Sequence, residues 1–182
     1  MIIRENTHST LKLPKLVTDV DYISYEVTFT PTCRYILNEE DQLDVNKLFG
    51  VGYFSNPFYK KQLSFFGKNV NVPFIRAMHQ DNSVRFGWRY CPSTDLIEIL
   101  AYWYKNGVRN IGHMYYVPIG KKFKYVLEID TYSHMLTIED CLEEKVYSRH
   151  LIDLRGSDIG YLLRPYFGGN NKAPHDIWIT MT

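Results

Sequence analysis

Long apolar runs are missing from this 182-residue chain, and so is any dominance of one sign of charge. No stretch could span a bilayer, and the start, Met1-Ile2-Ile3-Arg4-Glu5-Asn6, lacks the apolar core of a signal peptide. A formal net charge of +1 supplies no basic stripe of the kind nucleic acid needs. Cysteine is scarce: Cys33, Cys91 and Cys141 are odd in number and have no Cys-x-x-Cys spacing, which argues against a disulfide framework or a zinc site. Free thiols are expected, with synthesis in a reducing cytosol and a virion as one destination for a chain without a leader. No Asn-x-Ser/Thr sequon occurs, and His8, His79, His134 and His150 lack metal-ligand spacing, so no cofactor is implied. Neither a membrane nor a nucleic acid is expected as a partner.

Aromatic residues, by contrast, make up 15% of the chain, with Tyr alone at 15 copies. Tyr-, Val-, Ile- and Phe-rich runs of strand length recur at 21–30, 33–37, 74–79, 83–90, 96–105, 108–117, 123–132, 135–140, 161–167 and 175–181. They are punctuated by Pro, Gly, Asn and Asp. Many short strands with few helical stretches mean a sandwich or barrel, so the fold class is all-β, a two-sheet antiparallel β-sandwich of jelly-roll type. Residues 38–49 could form a short helix, and 139–150 could be helix or a charged edge. No linker divides the chain, which reads as one domain over 21–182 preceded by a polar arm at 1–20. Ordering such an arm costs about 1–2 kcal/mol per residue, so it is expected to dock, with Leu11, Leu13, Leu16 and Val17 as anchors. An assembly arm docking on another chain or on a distant face is the expectation; a strand pairing with 175–181 is the plainer reading.

Asn106-Gly107 between two alternating runs is a two-residue type I′ hairpin signal. It sets Lys105 opposite Val108, Tyr104 opposite Arg109, Trp103 opposite Asn110, Leu100 opposite His113 and Glu98 opposite Tyr115. Ile97, Ile99, Ala101, Trp103, Met114 and Tyr116 then share a core face. Glu98, Tyr102, Tyr104, Arg109, His113 and Tyr115 share a polar, aromatic one. In 83–90, Phe86, Trp88 and Tyr90 face the core, while Arg85 and Arg89 join the polar face. In 123–132, Phe123, Tyr125, Leu127 and Ile129 oppose Lys124, Glu128 and Asp130. If these strands share a sheet, they form a broad platform of Arg, Glu, Tyr and His.

The cadence Trp88-Arg89-Tyr90, then Ile97 to Tyr104, Asn106-Gly107 and Val117-Pro118-Ile119-Gly120-Lys121-Lys122-Phe123 resembles the middle of concanavalin A-like lectin/glucanase jelly rolls, a rhythm shared by laminin-G-like modules. The end, Arg164-Pro165-Tyr166-Phe167-Gly168-Gly169-Asn170 with Ala173-Pro174-His175-Asp176-Ile177, resembles the closing loop and strand of small jelly-roll proteins of gut bacteria and their phages. The resemblance spans about 83–182 and implies a fold that serves lectins, hydrolases, lyases and structural parts alike.

Three functions follow from these residues. A glycan-binding module needs exposed rings for stacking and planar polar groups for hydroxyls, and Tyr102, Tyr104 and Tyr115 with Glu98, Arg109, Arg85, Arg89 and His113 meet that need. Its partner is a glycan or polysaccharide. The alternative is a structural or assembly protein of a phage virion, joined to other subunits through the N-terminal arm. An enzyme comes third. Hydrolases of the superfamily pair carboxylates on one strand, and Glu128-Ile129-Asp130 offers the first half of that motif, but Thr131-Tyr132-Ser133-His134 follows without the third acid. Lyases of this architecture use Arg, His and Tyr, which brings in Arg85, Arg89, His113 and Tyr115. His175-Asp176 and Gly168-Gly169-Asn170-Asn171 read as backbone-satisfying turn elements.

Overall fold

Strands that alternate apolar and polar residues can bury only one side, so they pair into sheets that stack on one another. The computed structural model describes residues 1–9, 15–18, 21–54, 60–65, 68–73, 79–143, 145–156 and 159–182. Two six-stranded antiparallel sheets lie face to face as a jelly-roll β-sandwich. The first has the spatial order β1 (Ile2–Ile3), β14 (Ile177–Met181), β3 (Tyr22–Phe29), β10 (Lys122–Ile129), β11 (Ser133–Asp140) and β12 (Val146–Asp153). The second runs β2 (Lys15–Thr18), β13 (Ile159–Leu163), β4 (Asn46–Tyr53), β7 (Ser83–Cys91), β8 (Leu96–Lys105) and β9 (Val108–Pro118). A separate hairpin joins β5 (Lys60–Phe65) to β6 (Lys68–Pro73), and the described residues contain one short helix, α1 (Glu39–Gln42).

Aromatic rings bind the sheets. Phe49 and Phe86 of the second sheet meet Tyr25 and Tyr125 of the first, with ring centroids 4.9 Å apart for Tyr25–Phe49 and 5.2 Å for both Phe49–Phe86 and Phe86–Tyr125. Trp88 lies against Phe29 at 5.3 Å. Such tilted and edge-on pairs add to the burial of large apolar surfaces. Along one side the sheets close directly: Tyr115 of β9 meets Tyr147 of β12 at 5.0 Å, and Trp103 meets His150 at 5.3 Å. That approach requires Gly112, because a Cβ there would lie 2.6 Å from the His150 ring.

The hairpin forms as the sequence predicts. Asn106 and Gly107 take φ of 52° and 80°, the left-handed pair of a type I′ turn, and the register holds from Lys105–Val108 to Leu100–His113. Beyond it a β-bulge shifts the pairing, so Glu98 faces Tyr116 instead of Tyr115. Strict alternation would turn Val117 outward; the bulge lets Met114, Tyr115 and Val117 all reach the core side. Tyr115 therefore leaves the polar face and Tyr116 replaces it, 43% exposed.

Other expectations are corrected. Residues 33–37 form no strand: Pro31 starts a 3-10 turn at Pro31–Cys33, and the extended segment after it buries Tyr35, whose hydroxyl accepts from Asn46 Nδ2 at 2.7 Å and the Tyr90 backbone N–H at 3.2 Å. Of 38–49, only α1 is helical, capped by the Asn38 side chain; from Asn46 the β-branched, aromatic and glycine residues make β4. For 139–150 the charged-edge alternative holds over the described residues: Glu139 and Asp140 end β11, 141–143 turn, and Val146 starts the edge strand β12. Lys124 and Glu128 sit on β10 in the first sheet, so they cannot join Arg85 and Tyr104 on one platform. Of the run 74–79, residues 74–78 lie outside the described residues, as do the anchors Leu11 and Leu13. Where it is described, the N-terminal segment pairs within its own sandwich, which is the plainer reading: Ile2–Ile3 pairs with Trp178–Ile177, and β2 pairs with β13. All three cysteines are free.

One buried histidine makes the fold acid-sensitive. His134 is 1% exposed and shares a hydrogen bond with the Tyr53 hydroxyl across the sheets. Burial pushes its imidazole down to about 4, further than the Leu154 backbone and Asp130 can restore. The unfolded chain takes up that proton near the ordinary value, while the native state refuses it until about 4. Stability from this group is therefore complete above pH 6.5 and is lost as pH falls towards 4, by about 3 kcal/mol. Denaturant titrations of wild type and His134→Gln should show the wild-type advantage at pH 7 shrinking by roughly that amount at pH 4. A gap that does not change with pH would exclude His134 as the cause.

Candidate functional site

The site lies on the outer face of the second sheet and begins with missing side chains. In antiparallel pairing, residues opposite one another share a face. Gly52, Ser83, Tyr104 and Arg109 form one outward row, Gly50, Arg85, Tyr102 and Ile111 the next, and Gly87, Leu100 and His113 follow beside Lys47. Three glycines thus occupy outward positions in the middle of the sheet. A Cβ on Gly50 would fall 2.4 Å from Arg85 Cβ, and one on Gly52 would fall 2.8 Å from the Tyr161 ring. Their absence lets neighbouring side chains lie down on the sheet.

Over this floor is a cleft of about 590 Å³, within the range of small-molecule sites. One wall is the segment after β13, where Tyr166 and Lys47 exchange backbone hydrogen bonds of 2.8 and 3.0 Å. Tyr166 stacks on His8 at 4.9 Å and 8°. The opposite wall is the hairpin, where the Tyr102 hydroxyl donates to the Tyr104 hydroxyl at 3.3 Å. Lys47 Nζ sits between the walls, 5.3 Å from the Tyr102 ring centroid and 5.5 Å from that of Tyr166, and donates to the Gly168 carbonyl at 2.9 Å. Arg85 crosses the floor, 5% exposed, with an Nε that has no hydrogen-bond partner among the described residues; the buried Tyr161 hydroxyl has none among them either.

The cleft is cationic. Lys47, Arg85, Arg109 and Arg164 line it, and none of its described lining residues is Asp or Glu. Burial, followed by the field of Arg85, pulls the Lys47 ammonium down to about 8, with Asp44 opposing. Burial lowers the Arg85 guanidinium to about 10, so it stays charged at neutral pH. His79 at the rim is lowered by burial and then by Arg85 and Lys47. Burial and the Tyr104 hydroxyl push the Tyr102 phenol up, so it remains a neutral hydrogen-bonding group.

Of the residues the sequence singles out, Arg85, Tyr102, Tyr104 and Arg109 line this cleft. Arg89, Glu98 and His113 lie further along the same face in a closed cluster: Glu98 accepts from Arg89 Nε at 2.5 Å and pairs with His113 Nδ1 at 2.8 Å, while Arg89 Nη1 reaches the Leu43 carbonyl at 3.1 Å. Tyr115 faces the core side, against Phe123 and Tyr147. Arg85, His113 and Tyr115 therefore do not converge. Glu128 lies on the other sheet, and Asp130 in the loop after β10 accepts from the Thr131 backbone. His175 and Asp176 serve backbone: His175 Nε2 meets the Thr32 carbonyl at 2.9 Å, and Asp176 takes Arg4 Nη1 at 2.7 Å and the Glu5 N–H at 2.8 Å.

The sequence does not single out Lys47, Tyr161 or Tyr166. A signal exists in Gly50-Val51-Gly52, since glycine at alternate strand positions marks a close approach on one face. That β13 supplies the neighbour follows from a non-sequential pairing that strand periodicity does not encode.

No family model matches the sequence, and no curated protein matches it. Among solved structures, the chain is similar to the alginate lyase from Klebsiella pneumoniae, at 9% identity and a TM-score of 0.43 over 88% of this chain and 56% of that one. It is also similar to the kappa-carrageenase from Pseudoalteromonas carrageenovora, solved in complex with an oligotetrasaccharide of kappa-carrageenan. There the identity is 7% and the TM-score 0.38, over 99% of this chain and 66% of the other. The chain thus spans less than two thirds of the length of either. With TM-scores below 0.5, these likenesses assign neither substrate nor reaction, and the chemistry of the site stands on its own residues.

Proposed function

We propose that this chain is a lectin-like carbohydrate-binding module that holds a sugar in the cleft on the outer face of the second sheet. The observation that carries this reading is the convergence of Tyr102, Tyr104, Tyr161 and Tyr166 with basic side chains around one glycine-floored depression. A sugar presents an apolar ring face and a rim of hydroxyls. Tyrosine rings take the first, while phenols, the Lys47 ammonium and guanidinium groups take the second. Ligand pockets are built in this way, with aromatic walls and a few fixed polar groups.

Binding without catalysis fits the same geometry. Hydrolysis by paired carboxylates needs two acids flanking the glycosidic bond, and the described cleft lining has none. The Arg, His and Tyr set considered for lyase chemistry is divided among the cleft, the Glu98 cluster and the core side.

Tyr104 is half-buried and can be cut back without opening the main core, whereas Tyr102 packs with Val45 and Leu100 and is 4% exposed. Tyr104→Ala is therefore the cleaner probe. It should weaken binding to the best ligand on a glycan array by about 1–2 kcal/mol, a five- to thirty-fold rise in Kd. Tyr132→Ala, at an exposed ring in the loop between β10 and β11, should leave the Kd unchanged. Absence of wild-type binding across a broad glycan panel would end the lectin reading, and steady release of cleaved oligosaccharide by wild type would make the protein an enzyme.

A further inference from the structure

We infer that the cleft is selective for acidic sugars, with Arg85, Lys47 and Arg109 receiving a ring carboxylate or sulfate; this inference rests on the carbohydrate-binding reading above. The same outer face solves the problem of buried charge in two ways. Near one end of the face, Arg89 has a counterion, with Glu98 across the strand pair and the Leu43 carbonyl beyond it. A few residues along β7, Arg85 is buried more deeply; among the described residues it has no counterion in the cleft lining and its Nε has no hydrogen-bond partner. A charged guanidinium withdrawn from water is strongly unfavourable unless an anion meets it. Beside it lie the phenols of Tyr102 and Tyr161, which burial pushes up, so they bring no negative charge at neutral pH.

The second cation sharpens the case. Lys47 enters the same cleft from β4 against the repulsion of Arg85 and Arg109, with only Asp44 as an opposing field. His79 at the rim feels both cations and is disfavoured as a third. The groups facing Lys47 are thus the guanidiniums of Arg85 and Arg109, one acid, an imidazole and the phenols of Tyr102 and Tyr166, with Arg164 also on the cleft wall. A bound carboxylate or sulfate would relieve every repulsion at once, and a guanidinium fork suits either group geometrically. The tyrosine walls then select an anion carried on a ring over a free one. A nucleic acid strand also offers rings and anions, but a chain of net charge +1 has too little basic surface to follow a phosphate backbone beyond the cleft.

The test is calorimetry at low salt with trigalacturonate, trimannuronate and a sulfated galactose tetrasaccharide, each beside its carboxyl-reduced or desulfated counterpart, together with inorganic sulfate and a single-stranded oligonucleotide. The best acidic oligosaccharide should bind about tenfold more tightly than its neutral counterpart. Arg109→Gln and Lys47→Gln, with melting curves checked for integrity, should each collapse that ratio several-fold. Because Lys47 loses its proton near pH 8, wild-type affinity for the acidic probe should fall between pH 7 and pH 9, and Lys47→Gln should remove that fall. Equal affinity for acidic and neutral sugars would overturn the selectivity while leaving the carbohydrate reading intact. Binding of no sugar at all would overturn both. Inorganic sulfate matching the oligosaccharide would make this a small-anion site, and tighter binding of the oligonucleotide would replace sugar with nucleic acid.

Discussion

Packing Phe49 beside Leu48 is the constraint on which the rest of the second sheet depends. A strand in strict alternation would send one of these neighbours outward, yet both are almost wholly buried. The bulge between Lys47 and Gly50 resolves the conflict by placing an extra residue in β4 against β7. Phe49 then reaches Tyr25 and Phe86 at the centre of the sandwich. The same displacement leaves Lys47 and Gly50 both facing outward, three residues apart on one strand. The inner requirement to bury two large apolar side chains thus fixes where the outer cleft has its cation and where it has its floor.

That coupling explains why the middle of the second sheet is buried on both faces. Arg85, Glu98, Leu100 and Tyr102 all point away from the core, yet they are as hidden as many core residues. Lys47, Tyr161 and the chain from Leu163 to Asn170 cover them on one side, and Val45 packs over Gly87 and Leu100 on the other. Charges on such a face must be either paired or held for a partner from solution. Glu98 with Arg89 and His113 illustrates the first condition, whereas Arg85 has no ion-pair partner among the described residues and is the basis of the selectivity proposed above.

Much of the sandwich was legible in residue order because its information is local. Asn106-Gly107 demands left-handed backbone at two successive positions, so it located the hairpin and its first six residue pairs. Alternation in 83–90 and 96–105 assigned core and outer faces correctly. What escaped depended on partners distant in sequence. The bulge opposite Ile99 and Leu100, which exchanges Tyr115 for Tyr116, reflects the need to bury Val117 in a core built partly from the other sheet. The division of Lys124 and Glu128 from Arg85 follows from β10 lying between β3 and β11, an order that alternation alone does not specify. Half of the cleft was visible as Arg85, Tyr102, Tyr104 and Arg109; the half built from β4 and β13 was not.

The polar N-terminal segment supplies the last link between fold and site. A polar stretch has little apolar area with which to offset its ordering entropy, so its backbone bonds must hold it. Asn6 N–H donates to the Ala173 carbonyl at 2.9 Å, Ala173 N–H to Thr7 at 3.0 Å and Phe167 N–H to His8 at 2.7 Å, and Ser9 bridges to Tyr166. Asp176 fixes Arg4 and the Glu5 N–H at the start of the same path. β1 lies at the edge of the first sheet and β2 at the edge of the second, both on the side opposite the Tyr115–Tyr147 closure. His8 lies flat against Tyr166. The segment therefore braces the wall that carries Tyr166 and Gly168, and through the Gly168 carbonyl it helps set the position of Lys47. Residues 4–9, with the composition of a free arm, are held because the cleft wall and this stretch supply each other's missing hydrogen-bond partners.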